Sequence, residues 1–296
     1  MLASRLPCRE TRPMSETQTA EARAALDAVG QLPDDEIDLA ATALQLARID
    51  APQCDWRAAT MDLSLLARAA VEAATAAPAA DAGDLAARRA VLAGVLHGEA
   101  GFAGDDRTYE DPANANLLQV LERRRGLPVA LGILWLHAAD AAGWPAHGLD
   151  FPGHFLLALE GSRGQLVVDV FAGGTALAAP ELRALIKRAE GDKAELRPGV
   201  LVPMGRRAVL LRLQNNIKLR RLRAGDLAGA LTCAEDMLRI APTEAALWRE
   251  AGLMNQRLER IGAALLAFER FLAIQTEGAA AARVRDIMGE LRQRLN

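Results

Sequence analysis

Three positions decide what covalent chemistry this chain could perform. His154 and Asp169 are of the types that serve as general base and orienting carboxylate in a nucleophilic hydrolase. The third position is the start of an apolar helix, Gly126-Leu127-Pro128-Val129-Ala130-Leu131-Gly132. In a cysteine hydrolase the thiolate sits at such a helix start, where the dipole and a nearby histidine lower its pKa. Here Pro128 takes that place, and no side chain in the segment can attack a carbonyl. Cys54 could serve only as a remote nucleophile, and nothing in the sequence places it near His154.

The elements that must position these groups can be argued from pattern. Strands are expected over residues 154–160 and 165–171, on either side of Gly161-Ser162-Arg163-Gly164. Pairing across that loop sets Glu160 opposite Gln165, Leu156 opposite Asp169 and His154 opposite Phe171. Strand side chains alternate, so residues 154 and 156 share a face. His154 and Asp169 are then diagonal neighbours within side-chain reach. Pro152-Gly153 leads into the first strand. The bland alternative is a hydrogen-bonded pair that only ties the hairpin. The helix from Pro128 to about Ala142 is apolar nearly all round, which marks it as buried. Pro128 suits its first turn, where an amide proton would lack a partner anyway.

Other chemistry-bearing residues give weaker signals. Tyr109, the only tyrosine, is either a partly buried anchor or a site residue. Asn114 is expected to cap a helix over Ala115–Arg125. Arg123-Arg124-Arg125 reads as a helix end whose charge suits the dipole, or as a patch for phosphate or an acidic partner. His97, His137 and His147 have no metal-ligand spacing to one another or to His154, so no metal site is expected. Gly173-Gly174-Thr175 lacks the lysine of a phosphate loop, and no cofactor is expected.

The 296 residues suggest about two domains at ~100–200 residues each. Hydrophobic residues make up 51%, aromatics only 4%, and alanine and leucine dominate, which favours a mostly helical protein. Net charge is -3, with 35 basic and 38 acidic residues mixed along the chain, so no nucleic-acid face is expected. No apolar run reaches the ~18 residues that a membrane span needs. Three dispersed cysteines give no readable disulfide framework, and a cytoplasmic location is expected.

Helical periodicity recurs over residues 19–30, 34–49, 61–75 and 84–99, forming an N-terminal array. Residues 76–83 are expected to be a loop. After Arg206 all is helical, and Ala230, Trp248, Gly252, Ala264 and Phe268 fall at the spacing of a tetratricopeptide repeat. The expected organisation is a disordered extension over 1–17, with Met14 a candidate start, a core domain over 18–199, and a helical domain over 200–296.

The segments GFAGDDRTYEDPANANLLQVLERRRGLPVALGILW, PGHFLLAL, VVDVFAGG and LRLQNNIKLRRLRAGDLAGAL together resemble the SirB-type bacterial family. That family has a transglutaminase-like domain followed by tetratricopeptide repeats. The resemblance implies an α+β, mostly helical chain with a papain/transglutaminase-like core, namely a buried helix on a small antiparallel sheet. In it His154 and Asp169 match the triad histidine and aspartate, and the nucleophile position falls on Pro128. Family members often carry serine where Ala115 stands here, and sometimes where Ala130 or Gly132 stands.

The sequence therefore favours a non-catalytic protein that binds a protein or peptide. Tyr109, Asn114, Gly126, Pro128, Pro152 and Gly153 are its pocket or structural candidates, and Asn215, Asn216 and Trp248 its partner-binding candidates. The other reading is an amide or isopeptide hydrolase using His154 and Asp169 with a non-standard nucleophile. No nucleic-acid or membrane partner is expected, and the sequence leaves the oligomeric state open.

Overall fold

The computed structural model describes residues 16–162, 164–197 and 199–294. The expected extension over 1–17 lies outside the described residues, except for Glu16 and Thr17, which begin the first helix. The chain forms two compact units. One comprises residues up to Ala22 with 33–213, and the other comprises 23–32 with 214–296.

Helices α1 (Glu16–Val29), α2 (Leu39–Asp50), α3 (Trp56–Thr75), α4 (Pro78–Asp81) and α5 (Leu85–Ala93) open the chain. Aspartates fix three of the starts. The side chains of Asp38, Asp55 and Asp84 accept hydrogen bonds from the first free amides of α2, α3 and α5. The expected loop over 76–83 contains one helical turn, α4, with Pro78 at its start. α5 runs on into a π-helical turn, Gly94–Glu99.

The next segment holds β1 (Ala103–Gly104), α6 (Leu117–Arg123) and β2 (Arg125–Gly126). The cap of α6 is Asn116, whose side chain accepts from Gln119 N, and not the expected Asn114. Asp111 instead caps a short 3-10 turn, Pro112–Ala115, and Asn114 lies inside that turn. Arg124 ends α6 in the left-handed conformation, φ 56°. The chain then extends, so Arg125 and Gly126 pair in parallel with Ala103 and Gly104.

α7 (Pro128–Ala141) is buried along nearly its whole length. It packs on a five-stranded sheet of order β6-β5-β4-β3-β7, antiparallel throughout. The strands are β3 (Ala146–Phe151), β4 (His154–Gly161), β5 (Gly164–Asp169), β6 (Thr175–Leu177) and β7 (Val202–Met204). β3 was not anticipated as a strand, and β7 occupies a segment of ambiguous pattern. The expected β4–β5 register forms from Glu160 opposite Gln165 to Leu157 opposite Val168, but β5 ends at Asp169, short of the expected 171, so Leu156–Asp169 and His154–Phe171 are not pairs of the ladder. A Cβ on Gly132 would lie 2.2 Å from the Phe155 ring, so glycine lets α7 approach β4. α8 (Ala179–Glu190) supplies Leu182 and Ile186 to a second cluster with Leu149, Phe151, Leu156, Ala158 and Val167.

Besides residues 23–32, the second unit takes in the end of α9 (Arg206–Arg223) and continues through α10 (Leu227–Ile240), α11 (Ala245–Arg257), α12 (Ile261–Ile274) and α13 (Ala279–Gln293). Gly252 of α11 sits beneath Phe268 of α12, where an added Cβ would come within 2.4 Å of the ring. This explains the glycine at that point of the 34-residue pattern. Ala264, Phe268, Phe271, Val284 and Met288 form its core.

Candidate functional site

His154 opens β4 directly after a two-residue turn. Phe151 pairs with His154 across Pro152-Gly153. Gly153 has φ 67°, a left-handed conformation that favours glycine, and an added Cβ would press within 2.9 Å of Ala189. Arg212 of α9 fixes this corner. Its guanidinium donates to the His154 carbonyl oxygen at 2.6 Å and pairs with Asp150. Arg212 is a positioning residue that sequence pattern does not reveal, because it lies 58 residues away.

Asp169 ends β5, and its Oδ1 lies 3.1 Å from His154 Nε2. The two atoms meet at ion-pair distance without the alignment of a good hydrogen bond. The same oxygen accepts from the amides of Phe171 at 3.0 Å and Ala172 at 3.2 Å. Burial pushes the Asp169 carboxyl up. The neighbouring His154 and the two amides outweigh it, so the carboxyl titrates below its ordinary range. His154 Nδ1 makes no hydrogen bond to another described residue. The pair thus has the arrangement of an oriented base, with one ring nitrogen toward a carboxylate and the other uncommitted.

The helix start offers this base no nucleophile. Gly132 packs on Phe155, the residue after His154, so the first turn of α7 lies near the beginning of β4. That turn is Pro128, Val129, Ala130 and Leu131, all buried and apolar. Gly126 precedes it, held in β2 against Gly104. Phe171 lines the space beside the histidine. Its ring meets His154 edge-on, with centroids 6.4 Å apart, and meets Tyr109 edge-on at 6.0 Å. It also covers Gly104, where an added Cβ would come within 2.6 Å. Tyr109 is 40% exposed, so it rims this face without being buried in it. Asn114 is fully buried. Its Nδ2 donates to Thr108 O, its carbonyl accepts from the Leu127 amide, and its Oδ1 has no partner. Asn114 therefore braces the approach to α7 from the loop side. Phe171 is a second site residue that sequence pattern does not single out, apart from the expected pairing with His154.

The remaining candidates stand elsewhere. Cys54 is buried in the turn between α2 and α3. His97 is a core histidine. Its Nδ1 lies 2.8 Å from Phe102 O, which makes Nε2 the acceptor for the Trp135 indole N–H at 3.0 Å. Burial holds this imidazole below its ordinary pKa, against the opposing hydrogen bond to Phe102. His137 bonds Leu63 O, and His147 pairs with Glu160. Among the described residues no His, Cys, Asp or Glu cluster could hold a metal ion. In the second unit, Trp248 donates its indole N–H to Pro242 O at 2.8 Å and packs against the α12–α13 core. Asn216 accepts from Arg220, and Asn215 is half-buried on the same helix.

Comparison with known proteins fits this architecture. A family model described as the transglutaminase-like superfamily matches residues 58–215, more than half of the chain. The chain belongs to the transglutaminase-like superfamily. A tetratricopeptide repeat model matches residues 217–289, so the transglutaminase-like domain is followed by a repeat domain. A UPF0162 protein of Xylella fastidiosa (strain Temecula1) is 33% identical over 177 residues, covering 59% of this chain and 63% of that protein. The chain thus aligns with less than two thirds of that relative's length. A UPF0162 protein of Pseudomonas aeruginosa is 30% identical over 193 residues, covering 65% of this chain and 70% of the relative. F-box only protein 21 of Homo sapiens is 33% identical over 100 residues, covering 31% of this chain and 16% of that protein.

Proposed function

We propose that the chain is a non-catalytic binding protein that holds a protein or peptide partner, using its transglutaminase-like domain and its tetratricopeptide tail. The observation that carries this reading is the first turn of α7, where Pro128 and buried apolar residues stand in the place of a nucleophile. The repeat domain supports it, because such repeats build surfaces suited to peptides. A cytoplasmic setting belongs to the same proposal; no helix among the described residues is long and apolar enough to cross a membrane.

One observation favours a second reading. His154 and Asp169 meet at 3.1 Å, with the carboxylate held ionised, which is more order than a discarded site requires. In that reading the pair activates water for hydrolysis of an amide or isopeptide bond. Peptidase, deamidase and isopeptidase assays on the wild-type chain and on His154→Ala separate the two. The binding reading expects both proteins to give the same background rate. A wild-type rate well above background that disappears in His154→Ala would overturn it.

A further inference from the structure

A cavity of about 270 Å³ opens beside the Gly104–Gly126 bridge, lined by Ala103, Gly104, Asp105, Asp106, Arg107 and Arg125. It adjoins the candidate site through Gly104, whose other side is covered by the Phe171 ring that touches His154. Its charges are unevenly committed. Asp105 is saturated by the amide and hydroxyl of Thr108, at 2.9 Å and 2.6 Å, and by Arg123 at 3.2 Å. Those contacts, led by the Thr108 hydroxyl, hold its carboxyl below the ordinary range. Of the arginine run, Arg123 pairs with Asp105 and Asp111, and Arg124 reaches Asp62 and lies over Phe102. Arg125 reaches only the carbonyl of its neighbour, and Arg107 has no ion pair among the described residues. Two guanidiniums therefore face the cavity against the single uncommitted carboxylate of Asp106.

We infer that this cavity is the subsite for one acidic side chain of a peptide lying along the His154 face. The inference rests on the peptide-binding reading above and names the chemistry of its ligand. Two arginines suit a carboxylate, because a guanidinium can give it two parallel hydrogen bonds. Asp106 at the rim disfavours a second adjacent acid, so the site selects an isolated glutamate or aspartate over an acidic run.

The test uses the full chain and a blocked peptide carrying one glutamate, followed by the backbone amide signals of Gly104 and Gly126 in NMR titrations. The glutamate peptide should shift both signals, and its glutamine analogue should bind about tenfold more weakly or worse. Arg107→Gln and Arg125→Gln should each weaken binding by a similar factor. Both side chains are exposed, so the fold should be unaffected, and Arg68→Gln on α3 should leave binding unchanged. Equal binding of the two peptides, or tighter binding of inorganic phosphate than of the glutamate peptide, would overturn the assignment. If the peptide leaves Gly104 and Gly126 unmoved while wild type and His154→Ala remain equally inactive, the subsite falls and the binding reading stands. If the wild-type chain cleaves the peptide, the binding reading falls. Loss of the shifts in the arginine variants would then carry the subsite as a substrate contact.

Discussion

Two backbone amides, those of Phe171 and Ala172, point at the same Asp169 oxygen that approaches His154. Three favourable partners on one buried oxygen explain why its carboxyl titrates low in spite of burial. The unfolded chain therefore takes up this proton before the folded one does. The stabilisation from Asp169 is present above the ordinary carboxylate pKa and is lost as pH falls through the lower folded value. Replacing His154 by alanine removes the partner with the largest favourable effect. Asp169 should then titrate at higher pH, and acid unfolding should begin earlier. A carbon-13 carboxyl titration of wild type and His154→Ala measures this, and coincident curves would mean that the amides alone hold the carboxylate. At this scale the His154–Asp169 contact was legible, because strand alternation and a counted loop fix which side chains share a face. Arg212 was not, since its partners are backbone and side chain atoms of a distant hairpin. Asn114 and Asn116 show the limit of local reasoning. Both are good caps by type, and only the 3-10 turn capped by Asp111 decides that Asn116 starts α6.

At the scale of elements, two close approaches depend on the absence of a side chain. Gly132 brings α7 against β4 through Phe155, and Gly252 brings α11 against α12 through Phe268. Alanine is ordinarily the better helix former by up to ~1 kcal/mol, so on an exposed face either substitution would stabilise. Here the added methyl meets a buried ring. Gly132→Ala and Gly252→Ala should each destabilise by about 1–3 kcal/mol, as overpacking does. Urea midpoints followed by circular dichroism give the sign directly, and a gain in stability for Gly132→Ala would refute tight α7–β4 packing. The buried character of α7 was legible because a helix without a polar face has to be enclosed. The strand role of residues 146–151 was not. His147, Gly148 and Asp150 break the apolar alternation, and the strand exists because both its edges find partners, β4 on one side and β7 on the other.

At the scale of the molecule, residues 23–32, the end of α1 and the turn after it, cluster with the repeat domain and not with the residues on either side of them in sequence. Arg23 donates to Asp236 at 3.1 Å, Arg239 lies 3.5 Å from the same carboxylate oxygen, and Arg239 also pairs with Asp27. Asp236 is nearly fully buried, and burial raises its pKa against the pull of these arginines. Arg23→Ala leaves a buried carboxylate with one close cation. It should cost about 1–2 kcal/mol, discounted from the larger loss of a fully enclosed pair because Arg23 is one third exposed. Thermal unfolding of the variant measures that cost, and an unchanged midpoint would refute a stabilising role for the Arg23–Asp236 pair. The sequence by itself determined the helical class, the repeat spacing, the hairpin register and the missing nucleophile, because periodicity, turn residues and side-chain type are local properties. Only the tertiary structure decided which helix end borders His154, which arginines remain uncommitted beside Gly104, and which segment of the N-terminal helix completes the repeat domain. Those outcomes depend on contacts between residues far apart in the chain, where packing and charge pairing select among arrangements that local pattern leaves equivalent.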